Sequence, residues 1–182
     1  MTLDDSRSVR IVVAGSSGAG KTTLAKQLAS IHQLPFYEID ALYHGPGWIP
    51  NPHYLELLQS ILESSSWVVD SVGYQDSREL IFGAATHLVW LDLRRARSTG
   101  RVALRSIRRV INRTELWNGN RETPLGILRP TGPIAWSWRM HAERRRWIGI
   151  QIRRPEYSQL AIRHFRTPQD VEAWIRGGAD LG

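Results

Sequence analysis

Residues 15–23 have the types and spacing of a loop that binds the phosphates of a nucleotide. The stretch reads Gly-Ser-Ser-Gly-Ala-Gly-Lys-Thr-Thr, which places Gly15, Gly20, Lys21 and Thr22 at the fixed positions of such a loop. Its glycines allow successive backbone N–H groups to turn toward an anion, and the N-terminus of the following helix adds positive charge. The sequence therefore predicts a nucleoside triphosphate site.

Every residue of this loop is expected to contact the nucleotide. The predicted binding residues are Gly15, Ser16, Ser17, Gly18, Ala19, Gly20, Lys21, Thr22 and Thr23. The Lys21 ammonium would reach the β- and γ-phosphates, and the Thr22 hydroxyl is of a type that ligates magnesium. Lys21 is thus the first candidate catalytic residue, and Thr22 the first candidate metal ligand.

Two aspartates end short apolar stretches that read as buried strands. Asp70 follows Trp67-Val-Val, and we predict that it supports magnesium, directly or through a bound water, beside Thr22. Its alternative role is a helix N-cap or an ordinary loop residue. Asp92 closes residues 86–92 and is a second candidate partner for magnesium.

Asp40 follows a second predicted strand at residues 35–39. A carboxylate there could accept the proton of an acceptor hydroxyl, or bind the acceptor, during phosphoryl transfer. Its alternative role is a cap for the next turn, and His44 reads as a loop residue. The aromatic residues that either line an acceptor pocket or pack under a loop are Tyr43, Trp48 and Tyr74.

The net charge of +7 is concentrated in one segment. Residues 94–154 contain 16 arginines and three glutamates, a net charge of +13, so the rest of the chain carries −6. Only two of the 24 basic residues are lysines, Lys21 and Lys26. Because arginine is the better bidentate partner of phosphate, we expect this segment to bind anions.

An amphipathic helix is predicted over residues 93–112. Its cationic face carries Arg94, Arg97, Arg101, Arg105 and Arg108, and its opposite face, expected to be buried, carries Ala103, Leu104, Ile107, Val110 and Ile111. Phosphoryl transfer spreads negative charge over three oxygens, and positioned arginines stabilise it. Arg101 and Arg105 lie mid-helix and are the predicted catalytic arginines, the alternative being a solvated helix face.

Residues 113–133 are rich in Gly, Pro and Asn and are predicted to form a mobile loop before a second helix at residues 131–153. The face of that helix expected in the core carries Trp136, Met140, Trp147 and Ile150. Another face carries Arg139, Arg146 and Arg153. Interleaved arginine and tryptophan also fit a surface for single-stranded nucleic acid, although only Trp138 lies off the apolar face.

Strands and helices alternate along the chain, which predicts an α/β fold whose parallel sheet binds ligands at the carboxyl ends of its strands. Residues 160–165 read as the last strand. Asn51-Pro52 opens a helix with Leu55, Leu58, Ile61 and Leu62 on one side, and Thr167-Pro168-Gln169-Asp170 opens another. A chain of 182 residues is expected to form a single domain, residues 1–182.

The composition excludes several classes of site. There are no cysteines, so disulfides, thiolate zinc sites and cysteine nucleophiles are excluded. Residues 1–7 are polar, and the first apolar run is too short for a signal peptide or a membrane span. A cytoplasmic location is therefore expected.

The chain resembles the small P-loop kinases of the adenylate-kinase-like class, and most closely the proteins labelled DNA topology modulation protein. The matching blocks are residues 15–23, Leu34-Pro35, Asp40-Ala-Leu-Tyr-His with Gly47-Trp48, Trp67-Val-Val-Asp70 with Gly73-Tyr74, Leu91-Asp92-Leu93 leading to Arg101 and Arg105, and Arg166-Thr167-Pro168. The phosphate loop is specific for the superfamily, and the other blocks are moderately specific for the subgroup.

This resemblance implies a three-layer α/β/α P-loop fold, with a five-stranded parallel sheet in the order 2-3-1-4-5 and an arginine-rich helical lid at residues 94–154. It also implies ATP and Mg²⁺ as cofactors. Arg101 and Arg105 would match lid-region arginines, and the backbone around Thr167 and Pro168 would lie near the adenine. For Thr167 the role of helix cap stands beside that one.

The chain departs from two known members of the class. Adenylate kinases carry Asp-Gly-Phe-Pro-Arg after the third strand, whereas this chain has Asp-Ser-Val-Gly-Tyr at residues 70–74 and no arginine before Arg78. AMP is therefore not supported as the acceptor. The glycine triplet of shikimate kinases is absent there as well.

The residues together predict ATP-dependent phosphoryl transfer to a small-molecule or nucleotide acceptor. The alternative is a nucleic-acid-associated ATPase or regulator that places the basic segment on a phosphodiester backbone. A third hypothesis, a nucleotide-binding switch or a kinase that acts on a macromolecule, is not separated from the first by any residue. The sequence identifies neither the acceptor nor the oligomeric state.

Overall fold

The computed structural model describes residues 8–182, so the polar segment at residues 1–7 and the start of the predicted domain lie outside the described residues. Five parallel strands form one sheet in the order β2-β3-β1-β4-β5. The strands are β1 Arg10–Gly15, β2 Phe36–Tyr37, β3 Trp67–Val69, β4 His87–Leu91 and β5 Ala161–Phe165. The predicted fold class and strand order are confirmed.

Helices cover both faces of the sheet. They are α1 Lys21–His32, α2 Ile39–Tyr43, α3 Tyr54–Leu62, α4 Arg78–Ala84, α5 Arg95–Ile111, α6 Pro124–Leu128, α7 Pro133–Gln151 and α8 Pro168–Arg176. Short 3₁₀ turns lie at Pro46–Trp48, Trp117–Gly119 and Pro155–Tyr157. Among residues 8–182, no helix combines the length and the apolar character that a membrane span requires.

The alternation of side chains along β1 builds two cores. Ile11 and Val13 face α1 and α8, where Leu28 is fully buried, and Val12 and Ala14 face α3, α4 and the end of α7. Both faces of the central strands are therefore apolar, as expected for a parallel sheet with helices on each side. In the parallel register, Val12 pairs with Val69 and with Leu88.

The second strand is shorter than predicted, because helix α2 begins at Ile39. Phe36 and Tyr37 alone pair with β3, at the edge of the sheet. The fully buried Ile39 then turns the chain into the helix, and its backbone N–H donates to Asp70 Oδ1 at 3.1 Å. Asp40 therefore lies in the first turn of a helix and not at a strand end.

The face of α5 predicted to be buried is mostly exposed. Leu104, Ile107 and Ile111 have exposed fractions of 51%, 46% and 72%. The buried residues of this helix are instead Ser98, Val102 and Ser106. Small side chains let α5 approach the phosphate loop and α7 closely, and this close approach decides which face is covered.

The second long helix, α7, also buries a face other than the apolar one. Trp136 and Ile150 were expected in the core but are 43% and 51% exposed, whereas Trp147 packs edge-on against Phe82 at 5.4 Å. The buried residues of α7 are Ser137, Ile148 and Gln151. Polar side chains on the covered face explain why the hydrophobic pattern failed.

The segment predicted as a loop, residues 113–133, is partly ordered into elements. An antiparallel bridge joins Glu115 to Arg121, and Thr123 caps α6 by accepting from the Gly126 N–H at 3.1 Å. The predicted helix start at Asn51-Pro52 is displaced to Tyr54, with Leu55 exposed. The predicted start at Thr167 is confirmed, since its hydroxyl accepts from the Asp170 N–H at 3.2 Å.

Candidate active site

The phosphate loop joins β1 to α1 and has the backbone conformation of an anion cradle. Gly18 and Gly20 have φ of +81° and +99°, values that side-chain-bearing residues rarely adopt. Left-handed residues within such a turn direct successive N–H groups inward. The loop ends at the N-terminus of the 12-residue helix α1, whose first amides add to the positive potential.

Helices α5 and α7 both pack against this loop. A Cβ on Gly18 would lie closer than 3.0 Å to Ser98 O and to Val102 Cγ2, so only glycine fits beneath α5. The Ser137 hydroxyl of α7 donates to Ser17 O at 3.3 Å. The arginine-rich segment is therefore held directly over the phosphate loop.

Lys21 lies partly buried at the start of α1, and its Nζ donates to Ser16 O at 3.2 Å. The pKa of Lys21 is lowered to about 8, chiefly by burial and also by Arg144, while Asp70 opposes the shift. A bound anion would stabilise the charged ammonium in such surroundings. The position and the electrostatics of Lys21 both fit a contact to phosphate.

Asp70 links the phosphate loop to helix α2. Its side chain is only 5% exposed, accepts from Thr22 Oγ1 at 2.5 Å through Oδ2, and accepts from the Ile39 N–H through Oδ1. Burial raises the pKa of Asp70, an effect that the Thr22 hydrogen bond and Lys21 oppose. The carboxylate therefore sits between the loop and α2.

Thr22 and Asp70 supply the oxygen ligands that magnesium prefers. Within residues 8–182, no group of three or more histidine, aspartate or glutamate side chains could hold a metal ion. A magnesium ion here would therefore be bound by these two oxygens, and water and the phosphates of the nucleotide would supply its other ligands. That is the usual arrangement for magnesium in phosphate-transfer sites, so the donor set fits.

Asp92, the second candidate for magnesium, is bound elsewhere. Its buried carboxylate pairs with Arg145 at 2.8 Å and with His164 at 3.2 Å. His164 lies on β5, the strand on the side of β4 away from β1, and Arg145 lies on α7. The structure therefore brings Thr22 to Asp70 and ties Asp92 to the helical segment.

Asp40 lies in a cluster of aromatic side chains. Tyr74 O–H donates to Asp40 Oδ1 at 2.8 Å and lies 3.1 Å from His44 Nε2. Tyr43 stacks on Tyr74 with a centroid distance of 3.5 Å, and Trp48 meets His44 edge-on. Burial lowers the pKa of His44 and raises the pKa of Tyr74. The structure thus brings Asp40 together with the aromatic residues predicted either to line an acceptor pocket or to pack under a loop.

Arg144 on α7 is a candidate site residue that sequence reasoning missed. Its Nε is buried and has no hydrogen-bond partner among the described residues. Burial lowers the pKa of Arg144, while Asp40 opposes that shift. One face of α7 has the helical spacing of a buried face and carries Ser137, His141, Arg144 and Ile148. The pattern of apolar residues does not detect this face, because only Ile148 is apolar.

The mid-helix arginines of α5 face the phosphate loop. Arg101, Arg105 and Arg108 line a cavity of about 380 Å³ with Gly18, Gly20, Lys21, Thr22 and Thr23. The Arg101 guanidinium nitrogens lie 3.7 Å from where a Cβ on Gly20 would be. Burial lowers the pKa of Arg105, with Arg109 acting in the same direction. The predicted arginine face thus adjoins the predicted triphosphate site.

A second cavity of about 560 Å³ opens beside the carboxyl ends of β4 and β5. Its lining is Asp92, Leu93, Arg94, Arg95, His141, Arg145, Arg166 and Thr167. Thr167 thus lines a cavity and caps α8, and Pro168 is the first residue of that helix. Arg94 belongs to this cavity, so the arginine face predicted as one surface divides between two.

No protein-family model and no curated protein matches the chain. Solved structures do: a shikimate kinase from Acinetobacter baumannii in complex with shikimate is 15% identical, with a TM-score of 0.50 and coverage of 95% of each chain. A gluconokinase from Sinorhizobium meliloti 1021 is 21% identical, with a TM-score of 0.40 over 79% of this chain and 95% of that chain. The first likeness supports the P-loop α/β fold.

Proposed function

We propose that this protein transfers the terminal phosphoryl group of ATP to a small-molecule or nucleotide acceptor. One observation carries the proposal: Asp70 accepts hydrogen bonds from Thr22 of the phosphate loop and from Ile39, the residue before Asp40. The candidate metal site is thereby joined to the candidate acceptor site. Such an arrangement suits group transfer between two bound molecules.

The phosphate side of the site consists of residues 15–23 and Asp70. The backbone of Gly15 to Thr23 would cradle the phosphates, and Lys21 would hold the terminal ones. Thr22 and Asp70 would hold Mg²⁺, which supplies charge neutralisation on the phosphate oxygens when bound. The cavity lined by Thr167 would take the base, with the backbone around Thr167 and Pro168 close to it.

The acceptor side is centred on Asp40. Tyr74 donates to Asp40 Oδ1, which orients the carboxylate and leaves Oδ2 for an acceptor hydroxyl. Asp40 then either positions that hydroxyl or takes its proton as the new P–O bond forms. Arg101 and Arg105 act from α5, and Arg144 from α7, on the negative charge that spreads over the transferring group.

The nucleic-acid alternative has less support. Part of the positive charge of residues 94–154 is neutralised within the chain, since Arg109 pairs with Glu122 and Arg145 with Asp92. The Arg95 guanidinium covers the Trp138 ring at 3.8 Å, which occupies one face of that indole. The resemblance to DNA topology modulation proteins and the cytoplasmic location remain predictions from the sequence.

A screen of acceptors tests the proposed function. ATP consumption is measured with nucleotides, sugars and small alcohols, and phosphorylated products are detected by mass. We expect a product with a mass increase of one phosphoryl group from one class of acceptor. ATP hydrolysis at the same rate with every compound and no phosphorylated product would contradict the proposal.

A further inference from the structure

The Trp117–Asn120 turn has a defined backbone geometry within a segment whose composition predicts a loop. Asn118 and Gly119 have φ of +56° and +77°, and the Asn120 N–H donates to Trp117 O at 3.2 Å. These are the features of a type I′ turn, for which Asn-Gly is a preferred sequence. The Leu116 N–H donates to Asn120 O at 2.7 Å and closes the hairpin.

Side chains of this turn form hydrogen bonds with the backbone of residues 44–50, which we call the acceptor loop. Asn120 Oδ1 accepts from the Trp48 N–H at 3.0 Å, and its Nδ2 donates to Gly45 O at 2.9 Å. The Asn118 amide donates to His44 O as well. Asn120 is only 4% exposed, so its two hydrogen bonds are shielded from water and costly to lose.

Trp117 lies on the acceptor side of this contact. Its ring stacks on His44 at 5.9 Å with an interplanar angle of 18°, and it meets Trp48 nearly perpendicularly. Its indole N–H also opposes the rise in the pKa of Glu38 that burial causes. The lid segment therefore supplies a wall to the cluster that contains Asp40.

The hydrogen bonds of the cluster determine which nitrogen of His44 carries the proton. Tyr74 has one hydroxyl proton and donates it to Asp40, so His44 Nε2–H donates to the Tyr74 oxygen. Nδ1 is then an unprotonated acceptor, and it is buried without a partner among the described residues. A hydrogen-bond donor of a bound molecule would satisfy it.

We propose that the Trp117–Asn120 turn is the cover of the acceptor site. Asn120 is a positioning residue that fixes the acceptor loop through Gly45 and Trp48. Trp117 is a specificity-determining residue that limits the size of an acceptor lying beside His44 and Asp40. This inference rests on the proposed function, and it adds that the turn between the lid helices fixes the position of the acceptor loop.

The advantage of such a cover is exclusion of water. A lid that closes only over phosphate would leave the acceptor side open, and water would compete for the phosphoryl group. Here the segment that joins the arginine helices also fixes the acceptor loop. Selection of the acceptor and protection of the phosphoryl group then depend on the same contact.

Hydrogen exchange of the Trp48 amide tests the contact itself, in the full-length protein. In Asn120→Ala we expect this amide to exchange at least about tenfold faster, because its acceptor is removed. Arg121→Ala is the matched control, since Arg121 forms an exposed pair with Glu115 in the same hairpin. Equal protection of Trp48 in all three proteins would overturn the role of Asn120.

Steady-state kinetics with each panel compound that the unaltered protein phosphorylates test the role in acceptor binding. We expect Asn120→Ala and Trp117→Ala to raise KM for the acceptor about tenfold or more, with KM for ATP changed less than about twofold. Trp117→Ala should also phosphorylate bulkier members of the same class.

Two outcomes separate the inference from the proposed function. If the unaltered protein phosphorylates a compound and neither variant changes its KM, the cover is wrong and the proposed function stands. If the unaltered protein phosphorylates none, the proposed function fails and the inference fails with it. An equal rise in KM for the acceptor and KM for ATP would contradict the inference, because the turn would then only stabilise the lid.

Discussion

The sheet and the helical segment at residues 94–154 bury their residues in different ways. In the sheet, β1 places Ile11, Val12 and Val13 in two fully apolar cores. In the helical segment, the covered faces are largely polar, as with Ser98 and Ser106 on α5. Burial of apolar side chains therefore stabilises the sheet. Close backbone packing and hydrogen bonds stabilise the helical segment.

This difference suits the proposed chemistry, because apolar burial fixes the phosphate loop and polar contacts hold the lid. Apolar burial holds the strands and α1 in place, and the phosphate loop with them. The lid is held by polar contacts such as the hydrogen bond from the Ser137 hydroxyl to Ser17 O. Replacing such a hydrogen bond with one to water costs less free energy than exposing an apolar core. A rigid phosphate loop under a separable lid is what closure around two substrates requires.

The largest effect should come from a leucine of the sheet's core. Leu28→Ala should lower the free energy of unfolding by about 2–5 kcal/mol, because Leu28 of α1 is fully buried against the sheet. Leu104→Ala, the same change on the exposed face of α5, should cost no more than about 0.5 kcal/mol. Urea denaturation measures both, and equal losses would mean that the apolar face of α5 is buried.

The two strand-end aspartates give the next effect. Asp70→Asn should lower kcat about 10²–10³-fold and raise the magnesium concentration needed for activity, because a charge that supports the metal is lost. Asp92→Asn should leave the magnesium dependence unchanged, since Asp92 is paired with Arg145 and His164. Magnesium titrations of the transfer rate distinguish them. A change in magnesium dependence for Asp92→Asn would reverse the assignment.

The smallest effect concerns the protonation of Lys21. The chain contains only Lys21 and Lys26, so amine labelling followed by mass analysis resolves both side chains. Labelling of Lys21 should rise with a midpoint near its pKa of about 8. ATP with magnesium favours the charged form and should shift the midpoint upward by about one pH unit, or about 1.4 kcal/mol. No shift would argue against contact between Lys21 and phosphate.

Much of the sheet and of the phosphate loop could be predicted from the sequence, because the loop has a recognisable motif and the buried strands are short apolar runs. The loop from Gly15, the strand order and the cap at Thr167 are all found as predicted. In the helical segment the hydrophobic pattern misassigned Leu104 and Trp136, since packing there depends on small and polar residues. Only backbone approach, such as Gly18 against Ser98, decides which face is covered.

The acceptor side was only partly predictable. Residue type and position along the chain indicate roles for Asp40 and Tyr74, but their hydrogen bond depends on α2 starting at Ile39. Arg144 is not separated from the other arginines of its helix by the pattern of apolar residues. The Asn118-Gly119 pair does carry one, because that dipeptide favours a tight hairpin, and it indicates order where composition alone indicates a loop.

The central claim is that ATP bound at the loop of residues 15–23 donates its terminal phosphoryl group to a bound acceptor. It is tested most directly with ATP labelled in its terminal phosphate and the acceptor found in the screen. Transfer of the label should be lost in Lys21→Ala and retained in Lys26→Ala, whose side chain lies exposed over Phe36. Full transfer by Lys21→Ala would contradict the account.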